Sequence, residues 1–255
     1  MPLTLLAPAL QAIVFAGLGL IAGSFIGLVS LRLPQGQGVI LGRSRCGGCG
    51  QPLPPQRLIP VFSYLFARGR CRDCGVSIPW RYPLIELACG AIGVWAALSQ
   101  PDLLAAALTA LLGWQLILIA VVDAEHFWLP DVLTLPLLAI GVAAALLLPD
   151  GDLVGSIIGA ALGFSGLWLL AFLYRRLRGR EGLGGGDPIL LAAGGAWVGW
   201  AGLPSVLLWA SAAGLSLVVA RLLRGRAVSG QDRLPFGPFL AVGVWLTWLF
   251  GPLGL

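Results

Sequence analysis

Residues 103–122 read LLAAALTALLGWQLILIAVV, and Asp123 follows at once. A run of about 20 apolar residues is what a helix needs to cross the hydrocarbon core of a bilayer. The rest of the chain has the same character. Of its 255 residues, 58% are hydrophobic and 11% are charged, with a mean hydropathy of +0.92. Soluble domains carry about 25% charged residues. This composition excludes a soluble globular fold, and it excludes disorder, which needs low hydrophobicity. The 37 glycines show no G-X-Y period, so collagen is excluded too. The chain reads as an all-α polytopic membrane protein with a small polar module attached.

Working outward from residues 103–122 gives eight apolar segments, at about 5–30, 83–99, 103–122, 132–149, 153–174, 188–201, 203–221 and 235–253. The segment from Pro188 to Trp200 is the shortest and is rich in glycine. The first segment lacks a basic stretch before it and its apolar run is long, so it reads as an uncleaved span rather than a signal peptide.

Lysine is absent, and all 16 basic residues are Arg. Arg32, Arg43, Arg45, Arg57, Arg68, Arg70, Arg72 and Arg81 form one cluster. Arg175, Arg176, Arg178 and Arg180 form a second, and Arg221, Arg224, Arg226 and Arg233 a third. With eight spans, all three clusters fall on one side. The opposite connections, at 99–102, 149–152 and 200–204, hold none. Excess Arg marks cytoplasmic loops, so the Arg-rich side is expected in the cytoplasm, with both termini outside. This distribution fits a membrane rule better than nucleic-acid binding, despite a pI near 9.3.

The first Arg-rich loop also carries Cys46-Gly47-Gly48-Cys49 and Cys71-Arg72-Asp73-Cys74, with 21 residues between the pairs. Two such knuckles match a four-thiolate Zn²⁺ site, in which each tight turn supplies two ligands. Four thiolates leave no open position for water, so the metal is expected to be structural. Two disulfides are the alternative, disfavoured on a reducing side. Cys89, inside the second span, reads as a packing residue.

Of the 11 acidic residues, Asp123, Glu125 and Asp131 follow the third span, and Asp187 closes Gly184-Gly185-Gly186-Asp187 before the sixth. Asp131 and Asp187 could each be a helix N-cap beside a proline. Asp123 is harder to explain that way, because a carboxylate at a helix C-terminus meets the negative end of the dipole. An ionisable group at membrane depth is a functional candidate. Two carboxylates held close share a proton, so one can act as base toward water and the other as acid toward a carbonyl. The topology places Asp123 and Asp187 on the same side. His126 is the sole histidine, which argues against a catalytic metal or a serine triad.

These elements in order resemble the type IV prepilin peptidase (prepilin leader peptidase/N-methyltransferase) family. Gly23-Ser24-Phe25 and Arg32-Leu33-Pro34 resemble its first-span signature. The Cys loop is similar beyond its cysteines, through Pro52-Leu53, Ile59-Pro60, Ser63-Tyr64-Leu65, Arg68-Gly69-Arg70 and Arg81-Tyr82-Pro83-Leu84-Ile85-Glu86. Asp123 with Leu129-Pro130-Asp131 resembles the first catalytic motif, and Gly184-Gly185-Gly186-Asp187 the G-x-G-D motif. Ile189 stands where the family usually has Lys.

The resemblance implies a membrane aspartic endopeptidase of the bacterial inner membrane, with its site facing the cytoplasm. It would remove the leader of type IV prepilins or pseudopilins after a Gly. Asp123 and Asp187 would be catalytic, with Gly184, Gly186 and Asp131 shaping the motifs. It also implies N-methylation of the new N-terminus with S-adenosylmethionine, for which Glu86, Arg68, Arg70 and Arg81 are candidates, as they are for the leader. The domains would be a first span at 1–33, a four-cysteine zinc module at 34–82 and a seven-helix peptidase domain at 83–255. Two other classes compete. A non-enzymatic zinc-binding assembly or adaptor protein would use its acids as caps, and a proton-coupled transporter would place them near the bilayer midplane.

Overall fold

The computed structural model describes residues 3–39, 43–100, 102–180, 182–225 and 234–254. Pro101, Arg226 and Arg233 of the loops named above lie outside these residues. Among the described residues, eight helices follow in order: α1 (Leu3–Arg32), α2 (Phe62–Phe66), α3 (Arg81–Ser99), α4 (Leu103–His126), α5 (Asp131–Leu147), α6 (Leu153–Arg178), α7 (Asp187–Leu223) and α8 (Gly237–Phe250). Extended pairing among the same residues is limited to two isolated bridges in the Cys loop. Five helices, α1, α3, α4, α6 and α7, are long and apolar enough to cross a membrane, while α5 and α8 are shorter apolar helices.

The expected sixth and seventh spans are the two halves of α7, which follow each other with a break only at Gly199 (φ 69°, ψ 174°). The expected connection at 200–204 is therefore helical, and the break is a single residue. The halves nonetheless run in opposite directions along α8. Before the break, Gly194 and Trp197 meet Val244 and Trp248 in ascending order. After it, Gly202, Val206 and Gly214 meet Thr247, Gly243 and Phe239 in descending order. The chain reverses at Gly199, where a left-handed φ favours glycine. Counting the two halves of α7 separately, the described residues form eight apolar helical segments in the order of the eight expected spans, several of them shorter than the expected membrane length.

The chain forms two compact units, Met1–Leu118 and Ile119–Leu255. The first is held by α1 against α3. Its seam is Gly19-x₃-Gly23-x₃-Gly27 on α1, facing α3. A Cβ on Gly19 would strike the Cys89 carbonyl, and one on Gly23 would sit 2.6 Å from the Glu86 Cα. Between helices in lipid there is no hydrophobic drive, so small residues that permit close backbone approach carry the association. Cys89 is fully buried, and its carbonyl accepts from Trp114 Nε1 at 2.8 Å.

In the second unit α7 is the hub. Gly159 and Gly163 of α6 bring its backbone against Gly195 and Leu191, and Ser156 Oγ donates to the Ala196 carbonyl at 2.7 Å. Trp197 Nε1 donates to the Leu137 carbonyl of α5 at 2.9 Å and stands edge-on to Trp248 of α8. Asp152 caps α6 by accepting from Gly155 N at 2.9 Å. That helix ends on Arg175, Arg176 and Arg178, cations that suit the negative end of its dipole.

Gly23→Ala is expected to lower stability by about 1–3 kcal/mol through overpacking of the α1–α3 seam. Gly17→Ala, whose Cβ would meet nothing within 4 Å, is expected to be neutral or stabilising by up to about 1 kcal/mol. Thermal unfolding of the two variants in detergent provides the comparison.

Candidate functional site

Asp123 lies one turn before the end of α4 and is 5% exposed; Asp187 is the first residue of α7 and is 4% exposed. Each carboxylate is held by one backbone N–H. Asp123 Oδ2 accepts from Gly237 N at 2.8 Å, and Asp187 Oδ2 accepts from Gly184 N at 2.8 Å. Both acids belong to the second unit. The fold brings them to one end of it, although they stand 64 positions apart in the chain.

Gly237 is the first helical residue of α8, with Phe236 as N-cap. Asp123 is therefore opposed by the end of its own helix and supported by the N-terminus of another, where N–H groups and the dipole favour negative charge. Gly237 has no room for a side chain, since a Cβ would lie 2.7 Å from Asp123 Oδ2. Asp187 does not act as the cap it could have been. Gly186 is the N-cap and Asp187 reaches back three residues to Gly184. Gly186 is equally confined, because a Cβ there would meet the Leu129 Cβ at 2.5 Å and carbonyl at 2.6 Å. That contact joins the Asp187 turn to the segment between α4 and α5. Asp131 likewise is not an N-cap: Pro130 is, and Asp131 is exposed in the first turn of α5. Glu125 and His126 are exposed beside each other, 4.0 Å apart. Phe127 ends α4 with φ 52°, and its N–H returns to the Asp123 carbonyl. Positive φ is uncommon for a bulky residue and costs strain.

A cleft of about 270 Å³ opens beside the Gly184 turn, lined by Trp168, Phe172, Arg175, Leu183 and Pro188. Its wall on α6 includes a stacked pair, Trp168 on Phe172, with centroids 5.6 Å apart.

In the first unit the four cysteine sulfurs lie within 4.8 Å of one another, a group that could hold a metal ion. The two knuckles are the same structure repeated 25 positions apart. Cys46 N donates to Gln51 O, and Cys71 N to Val76 O. Gly50 N donates to Cys46 O, and Gly75 N to Cys71 O. Gly50 and Gly75 take φ of 70° and 73°, and the bridges Arg45–Pro52 and Arg70–Ser77 close the two turns. The backbone N–H groups of Cys49 and Gly48 pull the Cys46 thiol down to about 6. The Val76 N–H pulls Cys74 down as well, yet desolvation and the neighbouring sulfurs push it up to about 11. Four sulfurs this close cannot all ionise without a cation among them, and the donor set suits a tetrahedral thiophilic metal. Arg57 pairs with Asp73 inside the second knuckle; the hydrogen-bonded guanidinium holds that carboxyl below its ordinary value.

Glu86 is buried in the α1–α3 seam. Its Oε2 accepts from Val61 N at 2.7 Å, and Ser24 also bonds to the carboxylate. Arg81 Nη2 donates to Ser30 Oγ at 2.9 Å. Arg68 and Arg70 are exposed. Sequence reasoning missed Gly237 and Val61. Gly237-Pro238 repeats the Asp187-Pro188 pattern of a proline at the second helical position, and this was the available signal. Val61, with φ 62°, carries no such mark.

Residues 18–100 match the family described as the Bacterial Peptidase A24 N-terminal domain, and residues 110–219 match the Type IV leader peptidase family. Among curated proteins, one from Burkholderia pseudomallei (strain K96243), named prepilin leader peptidase/N-methyltransferase, is 41% identical over 261 residues, covering 92% of this chain and 84% of its own. Proteins of the same name from Dichelobacter nodosus and Pseudomonas aeruginosa are 43% and 36% identical. The first covers 82% of this chain and 71% of its own length; the second covers 92% and 88%. No solved structure matches the chain.

Replacing Cys46 and Cys71 by Ser is expected to abolish metal binding, from about one ion per chain to near none. Elemental analysis of the purified protein reads this directly.

Proposed function

The chain belongs to the type IV leader peptidase family, and from that premise we propose that it is a membrane aspartic peptidase of prepilins or pseudopilins, with Asp123 and Asp187 as its catalytic pair. One observation carries the reading: two buried carboxylates, each fixed by a single backbone N–H, are brought to one end of the second unit, where the Gly186 turn packs on Leu129. Buried like charges favour a shared proton. The protonated member donates to the carbonyl oxygen of the scissile bond. The ionised member takes a proton from a water whose oxygen attacks the carbonyl carbon. Collapse of the tetrahedral species passes a proton to the amide nitrogen and breaks the C–N bond after Gly. In each acid the backbone N–H engages Oδ2, and Oδ1 is the oxygen assigned to water and substrate.

The cleft beside Gly184 supplies an apolar wall next to Asp187 against which a substrate side chain can lie. The Arg-bearing end of α6 precedes the start of α7 in sequence, which supports a cytoplasmic orientation for the site in the bacterial inner membrane. Zn²⁺ is the ion that best suits four thiolates on two tight turns, and it would brace the loop rather than react. The second activity in the relatives' name, methylation of the new N-terminal amine, takes its methyl group from S-adenosylmethionine. Glu86 and Arg81 serve as positioning residues in the α1–α3 seam, since both are engaged there.

Asp123→Asn and Asp187→Asn are each expected to lower leader cleavage by about 10²–10⁴-fold, with insertion unchanged. Gly237→Ala, which crowds Asp123, is expected to lower it by about tenfold, or about 1.4 kcal/mol. Mass spectrometry of a prepilin incubated with each variant and the methyl donor reads cleavage and methylation together. Normal cleavage by either Asn variant would refute the paired-carboxylate mechanism.

A further inference from the structure

The Cys loop carries apolar side chains that neither the metal cluster nor the proposed chemistry uses. Phe62, Leu65 and Phe66 of α2 are 54%, 60% and 73% exposed, and Trp80 is 70% exposed. Exposed aromatic and aliphatic groups in one contiguous patch mark an interaction surface. Tyr64 of α2 and Trp80 are in ring contact, with centroids 5.3 Å apart, so the short helix and the residue before α3 form one surface.

Two observations say what covers it. The first is depth. Trp80 immediately precedes α3, a candidate membrane span that begins at Arg81, so it stands where the bilayer surface must be. The start of α2 is tied lower still: Val61 N donates to Glu86, which is five residues into α3, or about 7 Å along its axis. Amphipathic helices in a membrane interface bury their apolar face about 5–10 Å into the headgroup boundary. Leu84 and Leu87, in the first turns of the adjoining candidate span α3, are 61% and 52% exposed. The second observation is charge. Arg68, Arg70 and Arg72, all exposed, follow α2 within six residues, and Arg near an anionic leaflet is attracted by about 1 kcal/mol each.

We propose that α2 and Trp80 form an interfacial foot, with Phe62, Leu65 and Phe66 inserted among the lipids of the Arg-rich side and the following arginines on anionic headgroup phosphates. The metal-binding knuckles are then held at the membrane surface at both ends of their loop, by the spans and by the foot. Glu86 sets the depth of the foot by holding Val61. This assignment is independent of the catalytic reading, because it concerns only the first unit.

The test places the photo-reactive residue p-benzoylphenylalanine at Phe66 in the full chain, reconstituted in nanodiscs of phosphatidylglycerol or phosphatidylcholine. The same label at Leu84 on α3 serves as the lipid-facing control. After irradiation, intact mass should show lipid adducts at both positions. The yield at position 66 should be about fivefold higher in phosphatidylglycerol, and Arg68→Gln with Arg72→Gln should remove that preference. Adducts at position 84 with none at 66 would overturn the foot. So would a crosslink from position 66 to protein in place of lipid. Equal yields at 66 in the two lipids would overturn the headgroup role of the arginines. Leader cleavage by the Asp variants does not bear on any of these outcomes.

Discussion

The N–H of Gly237 on the carboxylate of Asp123 is the interaction from which the second unit takes its meaning. A carboxylate near the C-terminus of an apolar helix is disfavoured twice, by desolvation and by the dipole of its own helix. The start of α8 offsets both, with a hydrogen bond and the positive end of a second dipole. Without it the acid would sit buried and unsatisfied. With it, the ends of α4 and α8 are locked together, and the contact of Gly186 with Leu129 adds the start of α7 to the same place. The site is a meeting of helix ends, and glycine stands where two of them come too close for a side chain.

The first unit solves a different problem with related means. Its loop builds little core of its own, so it relies on four sulfurs and on Glu86, whose buried carboxylate holds the N–H of Val61 at positive φ. The cysteine turns are two copies of one hairpin-like device. Their matched hydrogen bonds explain why glycine follows each pair: the backbone must turn left-handed there to return its N–H to the first cysteine's carbonyl.

Much of this was legible in the chain before any coordinates. Apolar runs of membrane length located the helices, and the confinement of Arg to three stretches gave an expected alternation of sides. The Cys spacing revealed the four-sulfur cluster, and the family resemblance singled out Asp123 and Asp187. The partners of those acids were less legible. Gly237 lies 114 positions from Asp123, and no local pattern encodes such a pairing. The cap reading of Asp187 and Asp131 failed because both prolines next to them allow the cap to move one residue earlier. The reversal at Gly199 was placed in the right region but given too many residues. A glycine in the left-handed region can turn the chain alone, and composition does not distinguish that from a short loop.

That single-residue reversal has a mechanical corollary for the helices from α5 to α8. At their end away from the acids, the connections are taut: Gly199 alone, and the stretch 148–152, where Gly151 is wedged against the Ala145 carbonyl. At the other end the helices are separated by more of the sequence, with 179–186 between α6 and α7 and 224–236 between α7 and α8. The far end of the bundle is therefore held by chain connectivity, and the acid-bearing end by contacts between helix termini.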